Sequence, residues 1–148
     1  MNADAELDEL YRDVIVEHYR RPHHAAPLAR ADASAEGMNP LCGDEVRVEL
    51  RFDGDRVAEG AAWGRGCAIC QASASMMTDE ITGLAIDDAE RLIGAVEAML
   101  KSGAEPDEDL GDLDALRGVA KFPVRVKCAL LPWKVLRDAL DERGSSES

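Results

Sequence analysis

Along this chain the apolar residues change their period. Val46, Val48 and Leu50 alternate with Glu45, Arg47, Glu49 and Arg51, so one face is dry and the other wet, and a β-strand is predicted. Before and after that stretch the step lengthens to three and four. Leu7, Leu10, Tyr11, Val14, Ile15 and His18 mark an amphipathic helix from Ala5 to about Arg20. It ends there because Pro22 disfavours helical geometry in the residue before it.

The remaining elements follow from local punctuation. The Ala-, Pro- and His-rich stretch from Pro22 to Gly37 reads as loop. Phe52-Asp53-Gly54-Asp55 carries turn chemistry, and Arg56 to Trp63 returns as the second arm of a hairpin. Gly64 and Gly66 punctuate a tight bend before Cys67. A helix is predicted from Ala68 to Thr82, closed by Gly83. Asp87 or Asp88 is placed to cap another helix that runs to Lys101 and turns Leu92, Ile93, Val96, Met99 and Leu100 inward. Ser102 to Asp112 reads as an acidic, mobile surface loop, and Leu113 to Ala120 as a short helix. The last helix is predicted from about Ala129 to Glu142, starting near Cys128 because Pro132 is tolerated only in a first turn. With no repeat and no long polar linker, residues 1–148 are expected to form a single domain, ordered over about 6–142 with a flexible tail at 143–148.

Composition narrows the function. At 46% hydrophobic and 32% charged residues, the chain reads as a globular protein with no apolar run of membrane-spanning length. Its acidic N-terminus is unlike a secretory signal, so a cytoplasmic location and reduced cysteines are expected. A net charge of −13 repels phosphate backbones and anionic headgroups, which argues against nucleic-acid and membrane partners. An acidic surface also serves simple solubility.

The chemistry-bearing residues are Cys42-Gly43-Asp44, Gly66-Cys67 and Lys127-Cys128, each at a predicted junction between elements. Three thiolates and a carboxylate suit a tetrahedral zinc ion, while soft sulfur also suits an iron–sulfur cluster. The carboxylate is unusual in purely structural zinc sites and points to a site that rearranges. Cys67 and Cys128, placed at helix entrances, would feel the positive end of a helix dipole. The residues alone leave three readings open: a metal site, free redox thiols, or buried inert cysteines. Cys70, three residues after Cys67, reads as buried rather than as a spare ligand or resolving thiol. His18, His23 and His24 read as solvated or capping, and Trp63 and Trp133 as core or interface anchors.

Three runs carry a family resemblance. Asn39-Pro40-Leu41-Cys42-Gly43-Asp44, then Gly64-Arg65-Gly66-Cys67-Ala68-Ile69 with Ala72 to Met77, then Arg125-Val126-Lys127-Cys128 resemble SufU-type proteins, relatives of the IscU scaffolds. Leu10-Tyr11 and His18-Tyr19-Arg20-Arg21-Pro22 are similar too, so the resemblance covers about residues 6 to 142. The long interval between Cys67 and Cys128, and Lys127 where IscU scaffolds carry histidine, point to the SufU type. The resemblance implies an α+β fold, with a small antiparallel sheet flanked by helices, and one zinc ion held by Cys42, Asp44, Cys67 and Cys128. It implies a sulfurtransferase that accepts persulfide sulfur from a SufS-type cysteine desulfurase and relays it towards a SufBCD-type scaffold complex. Cys42 matches the acceptor, freed when a partner histidine takes its place on zinc, and Arg125 matches an arginine near the site. The alternative is a scaffold that builds a transient iron–sulfur cluster on the same cysteines. A third reading is a binding module whose zinc is only structural.

Overall fold

In the computed structural model, which describes residues 3–103 and 110–146, with side chains described for 12–103 and 110–142, the strand at Val46–Leu50 is the centre of a sheet. Strand β1 (Ala33–Asn39) pairs antiparallel with β2 (Asp44–Asp53), which pairs antiparallel with β3 (Arg56–Arg65), in the order β1-β2-β3. β2 and β3 join through Gly54 and Asp55. Gly54 takes φ +59° at the first central position, as a tight hairpin turn of this length requires. The alternation expected of β2 is observed: Val46, Val48 and Leu50 are buried, while Glu45, Arg47 and Glu49 are only half-buried. The same inward face begins one step earlier, at Asp44.

Helix α1 (Ala3–Arg20) precedes the sheet, and α2 (Ala68–Ile81), α3 (Ile86–Ser102), a 3-10 helix (Gly111–Lys121) and α4 (Pro123–Ser146) follow it. The architecture is α+β, a three-stranded antiparallel sheet with flanking helices. The core lies between the inner face of the sheet and the helices. There Leu50, Val57, Met76, Met77, Ile81, Ile93, Leu116, Trp133 and Leu136 are essentially dry. Burial of a large apolar side chain contributes about 1.5–3 kcal/mol each, so this layer is the main source of stability. Polar seams stitch α2 to α4: Ser73 Oγ donates to the Ala129 carbonyl at 2.6 Å, and Trp133 Nε1 donates to Ser73 Oγ at 3.0 Å.

Four sequence expectations are corrected. The stretch expected to be loop through Gly37 contains β1. At Gly37 a Cβ would lie 2.6 Å from Val135 Cγ2, so only glycine lets this strand lie so close to α4. Asp87 and Asp88 do not cap α3. Ala85 is its N-cap, and the two acids sit in the first turn, where they face the positive end of the helix dipole. The last helix starts at Pro123, not near Cys128, because Pro123 takes the first position and its missing N–H costs nothing there. Pro132 therefore lies inside α4, where it removes the N–H that would have bonded to the Cys128 carbonyl. Fourth, His18 is buried rather than solvated. The expected contacts of Leu7, Leu10 and Tyr11, most of the loop expected at 102–112, and the end of the tail lie outside the described residues. Among the described residues no helix is long and apolar enough to cross a membrane.

Candidate metal and sulfur site

β1 and β2 are joined by Pro40 to Gly43, and this turn carries Cys42. The Cys42 N–H donates to the Asn39 carbonyl at 3.2 Å, and Gly43 takes φ +71°, which a residue without a Cβ adopts freely. The turn leaves Cys42 half-buried and reachable from outside. Because Asp44 starts the inward-facing series of β2, its carboxylate points into the molecule and is fully buried. Oδ1 accepts the Cys67 N–H at 2.8 Å. This close approach is why Gly66 stands before Cys67: a Cβ on Gly66 would lie 2.4 Å from Asp44 Oδ1.

Cys67 is the N-cap of α2, with extended backbone, so its thiol lies at the positive end of that helix as expected. Cys128 is not at a helix entrance. It lies in the second turn of α4, fully buried, with Asn39 Nδ2 donating to its Sγ at 3.9 Å and the Val124 carbonyl 3.8 Å from the same sulfur.

One ligand atom from each of Cys42, Asp44 and Cys128 lies within 4.8 Å of the other two. Residues 86 positions apart in sequence thus meet because the β1–β2 turn lies against the start of α4. Cys67 is outside that close trio but adjoins it through its N–H on Asp44 and the interaction of its thiol with Cys128. All four cysteines are free thiols, so no disulfide competes for these sulfurs.

Electrostatics mark the same place. Burial, followed by the neighbouring Asp44, Cys42 and Cys67, pushes the Cys128 thiol well above its ordinary range. Burial does the same to Cys70, which packs behind the site at 2% exposure, reinforced by Asp44, Cys67 and Cys42. Arg125 is exposed, and its guanidinium is held charged more firmly than usual by Cys67 first and then by Cys128. Asp44 Oδ2 is buried with no hydrogen-bond partner among the described residues. A buried carboxylate oxygen left unpaired is costly, and a cation is the natural complement. This orphan oxygen and three thiols form a donor set that fits zinc.

Two features were missed by the sequence reading. Asn39 was visible only as part of a run, yet its side chain hydrogen-bonds a candidate ligand sulfur. Exposed apolar side chains flank the site, Leu41 and Val124 beside Cys42 and Phe122 beside Arg125, between 61% and 79% exposed. A cleft of about 120 Å³ beside Cys42 is walled by Asn39, Leu41, Pro123, Val124 and Lys127. Leu41 within the Pro40–Gly43 turn was the available signal, since an apolar residue there has no core to enter.

Known proteins resemble this chain in sequence and fold. The family described as the NifU-like N terminal domain matches residues 10–129. The chain is 45% identical over 139 residues to the zinc-dependent sulfurtransferase SufU of Bacillus subtilis, covering 92% of both sequences. It is 36% identical over 146 residues to the iron-sulfur cluster assembly scaffold protein IscU of Streptococcus pyogenes, covering 98% of this chain and 91% of that protein. Among solved structures, a putative iron-sulfur cluster assembly scaffold protein for the SUF system from Fervidobacterium islandicum superposes with a TM-score of 0.81 at 36% identity. It covers 86% of this chain and 94% of that one.

Proposed function

Because the chain belongs to the NifU-like N-terminal domain family, we propose that it is a zinc-dependent sulfurtransferase of iron–sulfur cluster assembly, with Cys42 as the sulfur acceptor. The observation that carries this is the meeting of Cys42, Asp44 and Cys128, with one carboxylate oxygen of Asp44 buried and without a hydrogen-bond partner among the described residues. Cys42, Asp44, Cys67 and Cys128 would hold one zinc ion, whose charge keeps its thiol ligands deprotonated.

The chain's own residues divide the remaining work. Cys42 is the ligand on a turn, half-buried and beside an open cleft, whereas Asp44 and Cys128 are anchored in β2 and α4 and are fully buried. Cys42 is therefore the arm that moves. Its thiolate attacks the outer sulfur of a persulfide on a cysteine desulfurase. A new S–S bond forms to Cys42, the old one breaks, and the desulfurase cysteine leaves as a thiolate, so charge and atoms balance. Arg125, exposed beside Cys67 and Cys128, steadies negative charge on the sulfur that arrives. The exposed apolar side chains Leu41, Phe122 and Val124 give the desulfurase a surface from which water is excluded around the transfer. Delivery onward to a SufBCD-type scaffold completes the relay.

The test is mass spectrometry after incubation with desulfurase and cysteine. Wild-type protein gains one sulfur on Cys42, and Cys42→Ala gains none while keeping its circular dichroism spectrum. Normal sulfur uptake or desulfurase stimulation by Cys42→Ala would overturn the mechanism. The resemblance to a named IscU scaffold supports a second reading, in which the same cysteines assemble a cluster. That reading predicts stoichiometric iron and sulfide after purification without air, against colourless protein with one zinc for the first.

A further inference from the structure

Towards the C-terminal half of α2, away from the cysteines at its start, three histidines and a carboxylate gather. His18, near the end of α1, is 4% exposed, and its ring centroid lies 4.8 Å from that of His23. Asp79 bridges the next two: its Oδ2 is 2.5 Å from His23 Nδ1 and its Oδ1 is 3.3 Å from His24 Nε2. One ligand atom each from His18, His23 and Asp79 lies within 4.8 Å of the other two. We propose that His18, His23 and Asp79 form a second metal site, separate from the thiols, for a divalent first-row transition ion of the nickel, copper or zinc class.

Three observations carry this. First, the histidine turn is built in place. The His23 N–H donates to Ser75 Oγ at 2.8 Å, the Ala62 N–H donates to the His24 carbonyl at 3.1 Å, and the Thr78 hydroxyl shares its one proton between the Ser75 carbonyl at 2.8 Å and the His23 carbonyl at 3.2 Å. α2 and β3 therefore fix the main chain that presents both rings, with His24 held at φ +51°, uncommon for a residue with a side chain. Ligands fixed before binding lose little freedom when the ion arrives.

Second, the donor chemistry differs from that of the cysteine site. Two imidazoles and a carboxylate contain no sulfur, and imidazole nitrogen suits nickel, copper and zinc. Asp112, whose Oδ2 is 3.0 Å from His18 Nε2, adds negative charge at the edge, and the chain as a whole carries −13. Third, the ion can enter without orphaning a buried group. His18 contacts Ser75 Oγ through Nδ1 at 2.8 Å and Asp112 through Nε2. Because a carboxylate only accepts, Nε2 donates to Asp112 and Nδ1 accepts from the buried Ser75 hydroxyl, so the Nε2 contact is the one to release, its proton passing to Nδ1, which then donates to Ser75 Oγ. Asp112 is largely exposed and turns to water. Occupied, the site would tie the end of α1 and the turn after it to α2.

The test starts from full-length protein loaded with one equivalent of zinc and titrates nickel(II) by calorimetry, while a colorimetric chelator reports any zinc set free. The expected result is one added ion with no zinc released. Paramagnetic broadening should appear at the ring signals of His18 and His23 and not around Cys42. Asp79→Asn and His23→Gln alter partly exposed side chains, so both should keep their zinc. Each should bind nickel about tenfold or more weakly, since even outer contacts of a metal site change affinity 10–100-fold. No second ion, nickel that only displaces zinc, or unchanged nickel affinity in both variants would each overturn the proposal.

Discussion

The two ends of α2 differ in how far the protein completes itself. Midway along the helix, every polar group drawn into the core finds a protein partner: Ser73 serves both the Ala129 carbonyl and Trp133, and Thr78 Oγ1 reaches the Ser75 carbonyl at 2.8 Å. At its N-terminus, Asp44 Oδ2 is buried without a hydrogen-bond partner among the described residues, and the Cys70 and Cys128 thiols are pushed towards their neutral forms. The apolar layer holds the fold by packing. The cysteine end spends part of that stability to keep a carboxylate and several sulfurs out of water, where a cation makes them useful.

The largest expected effect breaks the packed region and spares the other. Trp133→Ala removes a fully buried indole and one partner of Ser73, and should cost about 3–5 kcal/mol. Against a typical stability of about 5–15 kcal/mol, that brings the metal-free protein close to unfolding in urea. Cys42→Ala, on a half-buried turn, should change metal-free stability by no more than about 0.5 kcal/mol. Equal urea midpoints for the two variants would erase the contrast between the regions.

A smaller effect is expected at the cysteine end. Asn39 sits at the end of β1 and donates to the Cys128 sulfur without being a ligand itself. Asn39→Ala should weaken zinc binding about 10–100-fold, or about 1.4–2.7 kcal/mol, as loss of such outer contacts does. Competition with a chromophoric chelator measures this. Unchanged zinc affinity would mean that Asn39 only closes the hairpin.

What could be read from the sequence follows the same division. β2 was legible because Val46, Val48 and Leu50 repeat with the period of the pleat and nothing else satisfies that pattern. β1 was not, because Ala33-Ser34-Ala35-Glu36-Gly37-Met38-Asn39 has little intrinsic strand character. Its shape comes from pairing with β2 and from the fit of Gly37 against α4, both tertiary facts. The start of α4 was misplaced because Pro132 was given the first turn, when Pro123 holds that position and the helix carries Pro132 inside. The cysteines and Asp44 could be picked out as chemistry, but spacing alone gives no reason for positions 42 and 128 to meet. His18 was placed on the apolar stripe by its period and yet read as solvated or capping by its residue type, and the period was the better guide. Here Ser75 and Asp112 meet both of its nitrogens, so burial is tolerated.

The finest discrimination between the regions is a pH dependence. In the metal-free protein, burial, and then the charges of Asp44, Cys67 and Cys42, raise the Cys70 thiol above its ordinary value of 9.0. A raised value means that the folded state holds this proton more tightly than the unfolded state does. The resulting stability is complete below pH 9, the unfolded value, and is lost as pH rises above it, where only the unfolded chain gives up the proton. Cys128 is raised too and acts in the same direction. Metal-free stability measured by urea titration should therefore fall as pH rises beyond 9. Cys70→Ala should make that fall shallower without abolishing it, because Cys128 still contributes. A slope unchanged by Cys70→Ala would mean that the thiol behind the site is less sealed from water than its 2% exposure implies. The cysteine end would then owe its strain to Asp44 and Cys128 alone.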